Sequence, residues 1–118
     1  MMRRGDVVIV AFPYMRGGGG KNRPAIVVQC DRDNHRLSNT IVAMITGNIR
    51  YAQSEPTQLL VDPSTTEGKS SGLSYASAVK CSNLYTVDQQ HILATIGSLS
   101  PPLMSGVDAC LKAALALP

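Results

Sequence analysis

Apolar residues fall along most of this chain in short clumps, and only near the end do they recur at helical spacing. Val7–Phe12 is a β-branched run bounded by Gly5-Asp6 and Pro13, which predicts a strand. Pro13–Asn22 reads as a loop, because the four glycines Gly17–Gly20 hold regular structure only at a large entropic cost. Pro24–Gln29 predicts a second strand with proline at its start, where a missing N–H is tolerated. A polar connection is expected over Asp31–Asn39, then a third strand over Thr40–Thr46, closed by Gly47-Asn48. Thr57–Val61 is a further short run, followed by a turn at Asp62-Pro63-Ser64 and a Gly/Ser/Lys-rich loop over Ser64–Gly72. Ser74–Val87 reads as one long, bent strand. Asp88 is placed to cap a short helix over Gln89–Ile96, and Ser100 before Pro101-Pro102 marks the start of a terminal helix. In that helix Leu103, Val107, Cys110, Leu111, Ala114 and Leu115 form an apolar stripe suited to core packing. Strands first and helices last indicate an α+β fold around a small, strongly curved antiparallel sheet, in a single domain over residues 1–118.

Composition limits how this core is built. Of 118 residues 44% are hydrophobic but only 4% aromatic, with one Phe and no Trp, so Val, Ile, Leu, Ala and Met must fill it. The net charge of +3 is unevenly spread. Residues 1–50 carry eight Lys/Arg against three acids, a net of +5, and residues 51–118 carry −2. The basic half favours a polyanion or an acidic partner peptide. Three cysteines at wide spacing, with no CxxC, argue against a disulfide framework or zinc site and for a reducing compartment. No segment approaches a membrane span, and Asp6 interrupts the basic, apolar start before it resembles a signal peptide. A cytoplasmic location is the expectation.

The familiar enzyme motifs GxSxG, HExxH and the phosphate loop GxxxxGK[ST] do not occur. The glycine run lies between strands and lacks the Lys-Ser/Thr ending of a phosphate loop. Nothing in the sequence brings His35 and His91 together as an acid–base pair. Arg23 is more informative. It precedes Pro24 at a strand edge, and its guanidinium offers a planar fork suited to phosphate. Thr46 ends an apolar strand next to Gly47-Asn48, where its hydroxyl is placed to donate to a phosphate oxygen.

Taken in order, "RGDVVIVAFPY", a glycine loop, "RPAIVVQ", "TIVAMITGNI", "GLSYASAVKCSNLYTVD" and "IGSLSPPLMSGVDACLKAAL" resemble the MazF/PemK family of ribonuclease toxins from bacterial toxin–antitoxin pairs. The resemblance runs from about residue 3 to residue 116. It implies an SH3-like barrel with added helices, a homodimer, and metal-independent, cofactor-free cleavage of single-stranded RNA by the substrate's own 2′-hydroxyl. It also implies an acidic cognate antitoxin that blocks the RNA path. The family's essential Arg and Thr fall on Arg23 and Thr46. Tyr14, Arg16, Lys21 and Ser77 are the expected substrate contacts, and Tyr51, Tyr75 and Tyr85 the other candidates for base stacking. The loop before Arg23 lacks the Ser, Glu and Gln that many members carry. The alternative is a non-catalytic toxin of the same fold acting on a protein target such as DNA gyrase, since fold alone does not fix activity.

Overall fold

The computed structural model describes residues 2–12 and 21–118. Six strands, β1 (Asp6–Phe12), β2 (Lys21–Val27), β3 (Asn39–Thr46), β4 (Gln58–Val61), β5 (Ser77–Asp88) and β6 (Ile92–Ser98), form one antiparallel sheet in the order β4-β5-β3-β2-β1-β6. Two helices, α1 (Asp31–Arg36) and α2 (Pro101–Leu115), and two 3₁₀ turns, Lys69–Ser71 and Gln89–His91, complete the fold. The architecture is the expected α+β, barrel-like one, with β4 and β6 as the free edges of the ladder.

Strand alternation sorts the apolar residues onto two faces. Val7, Ile26, Ala43, Ile45, Val61 and Val79 lie on one face and pack against Val107 and Cys110 of α2. Val8, Val10, Ala25, Val27, Val42, Met44 and Val87 lie on the other, with Phe12. Each fully buried Val or Ile contributes on the order of 1.5–3 kcal/mol, so both faces matter to stability.

A bulge in β5 sets the curvature. Ala43 pairs with Leu84 but Met44 pairs with Lys80, so Cys81, Ser82 and Asn83 are extra on the β5 side. The bend lets Ala78–Lys80 pair with β3 and β4 at once. The long bent strand read from the sequence is therefore present, three residues shorter at its start.

Several elements differ from the sequence reading. Lys21 and Asn22 belong to β2 rather than to a loop, because they pair with Phe12 and Ala11. The segment after β2 contains α1, whose Asn34 is buried and fully bonded: Thr40 Oγ1 and Gln29 Nε2 donate to its Oδ1 at 2.7 and 2.9 Å, and its Nδ2 donates to Gln29 O at 3.0 Å. Gln89–Ile96 is not a helix. Asp88 does cap, accepting from Gln90 N at 2.9 Å, but only one 3₁₀ turn follows before the chain pairs with β1 as β6. Cross-strand pairing overrides the local start signal there.

Ser100 holds the N-cap position of α2 but its hydroxyl makes no capping bond. Pro102 at the second helical position has no N–H to offer it. The stripe of α2 faces the core as expected except for Leu115, which is exposed. Arg4 ties the N-terminal segment to α2, donating from its guanidinium to Val28 O at 2.8 Å and to Asp108 at 2.7 Å.

Candidate active site

Arg23 stands on β2 opposite Val10, whose side chain belongs to the same face as Ala25 and Met44. Thr46 follows Met44 by two residues on β3 and so shares that face. Ala25 pairs with Met44, and the β2–β3 ladder runs no further in that direction. Carried on by two residues, the same register sets Arg23 opposite Thr46. Pro24 supplies the physical reason for the stop, since it has no N–H to donate across to β3. The two strands part just where the arginine and the threonine face the same side.

Neither side chain donates a hydrogen bond to the described residues. Arg23 is partly buried, and its Nε is sealed from solvent with no hydrogen-bond partner among the described residues. The three ion pairs among those residues use Arg4, Arg32 and Arg36, not Arg23. Thr46 Oγ1 accepts from Asn48 N at 3.2 Å, which fixes the hydroxyl and leaves its hydrogen to donate elsewhere. Asn48 Oδ1 in turn accepts from Arg50 N at 3.1 Å, so the segment after Thr46 is locked by its own side chains.

Cations gather at this end. Lys21 is exposed on β2, two residues before Arg23 and on its face. Arg50 lies over the Tyr51 ring at 5.5 Å from its centroid. Lys80 was missed in the sequence. Paired with Met44, it faces the same side as Thr46, and the lysine becomes relevant only through the β5 bulge that sets this register. A long side chain reaches diagonal cross-strand neighbours, so Lys80 adds positive charge to the same surface.

The other candidates separate. Tyr14 and Arg16 lie outside the described residues. Ser77 lies on the opposite face from Arg23 and Thr46, buried, with its Oγ donating to Tyr75 O at 3.0 Å. It lines a cavity of about 140 Å³ that also touches Pro24, Gly47, Leu73, Tyr75 and Ile96. Tyr85 packs edge-on against Phe12, with ring centroids 5.3 Å apart. His35 and His91 are exposed on segments that meet at the far end of β3, where Gln89 Nε2 donates to Asn34 O at 2.9 Å. The thiols of Cys81 and Cys110 sit in the core, and burial pushes Cys81 up to about 12, so it is no nucleophile at neutral pH. Among the described residues no group of three or more His, Cys, Asp or Glu is placed to hold a metal ion, and no helix is long and apolar enough to cross a membrane.

Fold and site together define a small barrel-like α+β protein with a cationic, hydroxyl-bearing strand end. The sequence model of the PemK-like, MazF-like toxins of type II toxin–antitoxin systems matches residues 3–115, and the chain belongs to that family. The fold is similar to that of an endoribonuclease from a mycobacterial species solved in complex with its cognate antitoxin (TM-score 0.77, 22% identity, covering 100% of this chain and 98% of that one). It is also similar to the Mycobacterium tuberculosis toxin MazF-mt6 (TM-score 0.77, 23% identity, 96% of this chain and 98% of that one). A MazE–MazF structure from Deinococcus radiodurans matches at TM-score 0.73 and 18% identity, over 99% of this chain and 97% of that one.

Proposed function

We propose that this toxin is a metal-independent endoribonuclease that cuts single-stranded RNA at short sequence motifs. The observation that carries the reading is the pair at the strand end: a partly buried Arg23 with no ion pair and no Nε partner among the described residues, and on the same face Thr46, whose hydroxyl is fixed by Asn48 N and donates to none of the described residues. The 2′-oxygen of the substrate attacks the adjacent phosphorus. The bond from phosphorus to the 5′-oxygen breaks, leaving a 2′,3′-cyclic phosphate and a 5′-hydroxyl. Negative charge grows on the phosphoryl oxygens as this happens. Arg23 meets it with charge and paired N–H donors and Thr46 with a neutral donor, each worth about 3–4 kcal/mol when preorganised.

A guanidinium is protonated at neutral pH and so is no base: Arg23 stabilises the charge and passes a proton to the departing 5′-oxygen, and the proton released by the 2′-hydroxyl returns through water to restore the guanidinium. Lys21, Lys80 and Arg50 add sequence-independent attraction for the RNA backbone. Tyr14 and Arg16, which stand between β1 and β2 in the sequence, are the further substrate contacts of this reading. The enzyme works in the cytoplasm as a homodimer, without a cofactor, and is held inactive by a cognate antitoxin. Family membership and the antitoxin-bound state of a solved structure with this fold support that arrangement.

The test is cleavage of a long single-stranded RNA in EDTA by wild type, Arg23→Ala and Thr46→Ala, with product ends mapped. Discrete cuts with 5′-hydroxyl ends, reduced on the order of 10²-fold or more in both variants, are expected. Intact RNA from a folded wild type that still arrests growth would overturn the nuclease and point to a protein target such as DNA gyrase.

A further inference from the structure

The cavity beside the facing pair has no role in the chemistry above. It lies on the other side of the sheet yet touches the residues that follow both members: Pro24 after Arg23, and Gly47 after Thr46. Its outer wall is Tyr75, which is 65% exposed. The ring edge rests on Gly47 so closely that a Cβ there would lie 2.9 Å from Tyr75 Cε2. The wall is anchored from behind. Gly72, at φ +73°, and Gly97 let the Lys69–Ser71 turn lie directly on β6, where any Cβ would strike backbone atoms, and Ser70 Oγ donates to Ser98 O at 2.8 Å. Tyr75 thus presents a largely exposed aromatic face, its ring edge against Gly47, next to the strand end that carries the threonine.

We propose that this cavity receives one nucleobase of the RNA strand, flanking the cut phosphate, with Tyr75 as its stacking platform and Ser77 as a reader of its edge; the proposal rests on the nuclease reading. Three features favour a base as the occupant. A ring with an exposed face stacks any base. A volume of about 140 Å³ holds one planar heterocycle and not two. Ser77 has committed its own proton to Tyr75 O, so toward the cavity its oxygen offers only lone pairs. It therefore accepts from an amino or imino N–H on the base edge. Gly47 sets the distance, because its missing side chain lets the Tyr75 ring edge pack directly against the residue that follows Thr46.

The test separates the base subsite from the nuclease. A short RNA, 2′-O-methylated to block attack, carries 2-aminopurine at each position in turn and is titrated with wild type, Tyr75→Ala, Tyr75→Phe and Ser77→Ala. At one position the fluorescence should be quenched by wild type and by Tyr75→Phe but not by Tyr75→Ala, with affinity reduced about tenfold in the last. Ser77→Ala should keep the quenching, and on unmodified RNA should relax the base preference at that position alone. Because Tyr75 is exposed, its truncation leaves the core intact, and a thermal melt checks this. Quenching that depends on Tyr75, from a protein that cuts no unmodified RNA, would keep the subsite and sink the nuclease. Efficient cutting with quenching and cut-site preference unchanged in Tyr75→Ala would sink the subsite and keep the nuclease.

Discussion

The two ends of β3 treat polar groups in opposite ways. At its start, Thr40 Oγ1, Gln29 Nε2 and Asn34 Nδ2 form a closed network in which each buried side-chain group has a partner, and Gln89 Nε2 adds bonds to three carbonyls of the α1 region. At its finish, Arg23 Nε is sealed from solvent without a partner among the described residues, and Thr46 donates its hydrogen to none of them. A satisfied network holds a fold together, whereas an unsatisfied group is a cost the folded protein tolerates for another reason. The contrast separates polar residues that support structure from those that await a ligand.

The strongest way to break this comparison is to remove the unsatisfied end. Arg23→Leu should lower RNA cleavage by on the order of 10²-fold or more while leaving stability unchanged or raised by about 1 kcal/mol, read by urea denaturation. A loss of stability instead would mean that Arg23 is structural.

The converse substitution, Asn34→Leu, should cost about 3 kcal/mol, because Thr40 and Gln29 lose their partner in the interior. Cleavage per folded molecule should not change. A weaker lever on the same network is pH. The backbone N–H of Arg4, at 2.7 Å, holds the Asp31 carboxylate below its ordinary value, with smaller help from Asn34. The folded-state pKa is thus below the unfolded one. The contribution is complete above about pH 4 and is lost as the pH falls through the folded value. Asp31→Asn should therefore flatten the acid limb of the stability profile and leave the neutral range nearly untouched.

The smallest expected effect lies outside both ends. Ala116 closes α2 at φ +54°, a left-handed geometry that glycine adopts without strain. Ala116→Gly should raise stability by about 0.5–1 kcal/mol and alter neither network nor cleavage.

The contrast also explains what was legible in the chain. β1, β3 and the body of α2 follow from β-branched runs and helical spacing, because their apolar faces do the work of folding. The sequence "DRDNHR" of α1 has no such pattern, since the residue that docks it is the polar Asn34. In β6 the capping signal of Asp88 was genuine but local, and pairing with β1 decided the rest. Arg23 and Thr46 were visible as residues, but their register was not. Lys80 and the Tyr75 cavity depend on the β5 bulge and on backbone contacts at Gly72 and Gly97, which no linear pattern encodes.

Pro24 also divides the sheet by how its amides meet water. The β2–β3 ladder from Ala25 to Val27 is buried, so its protons should exchange with deuterium only when the whole protein unfolds. Beyond the proline no rung of that ladder joins β2 to β3, so each strand is held there from one side only, β2 by β1 and β3 by β5, and amides there should exchange at a lower free energy than those of the ladder. One missing N–H thus lets the strand end breathe without loosening the core it grows from.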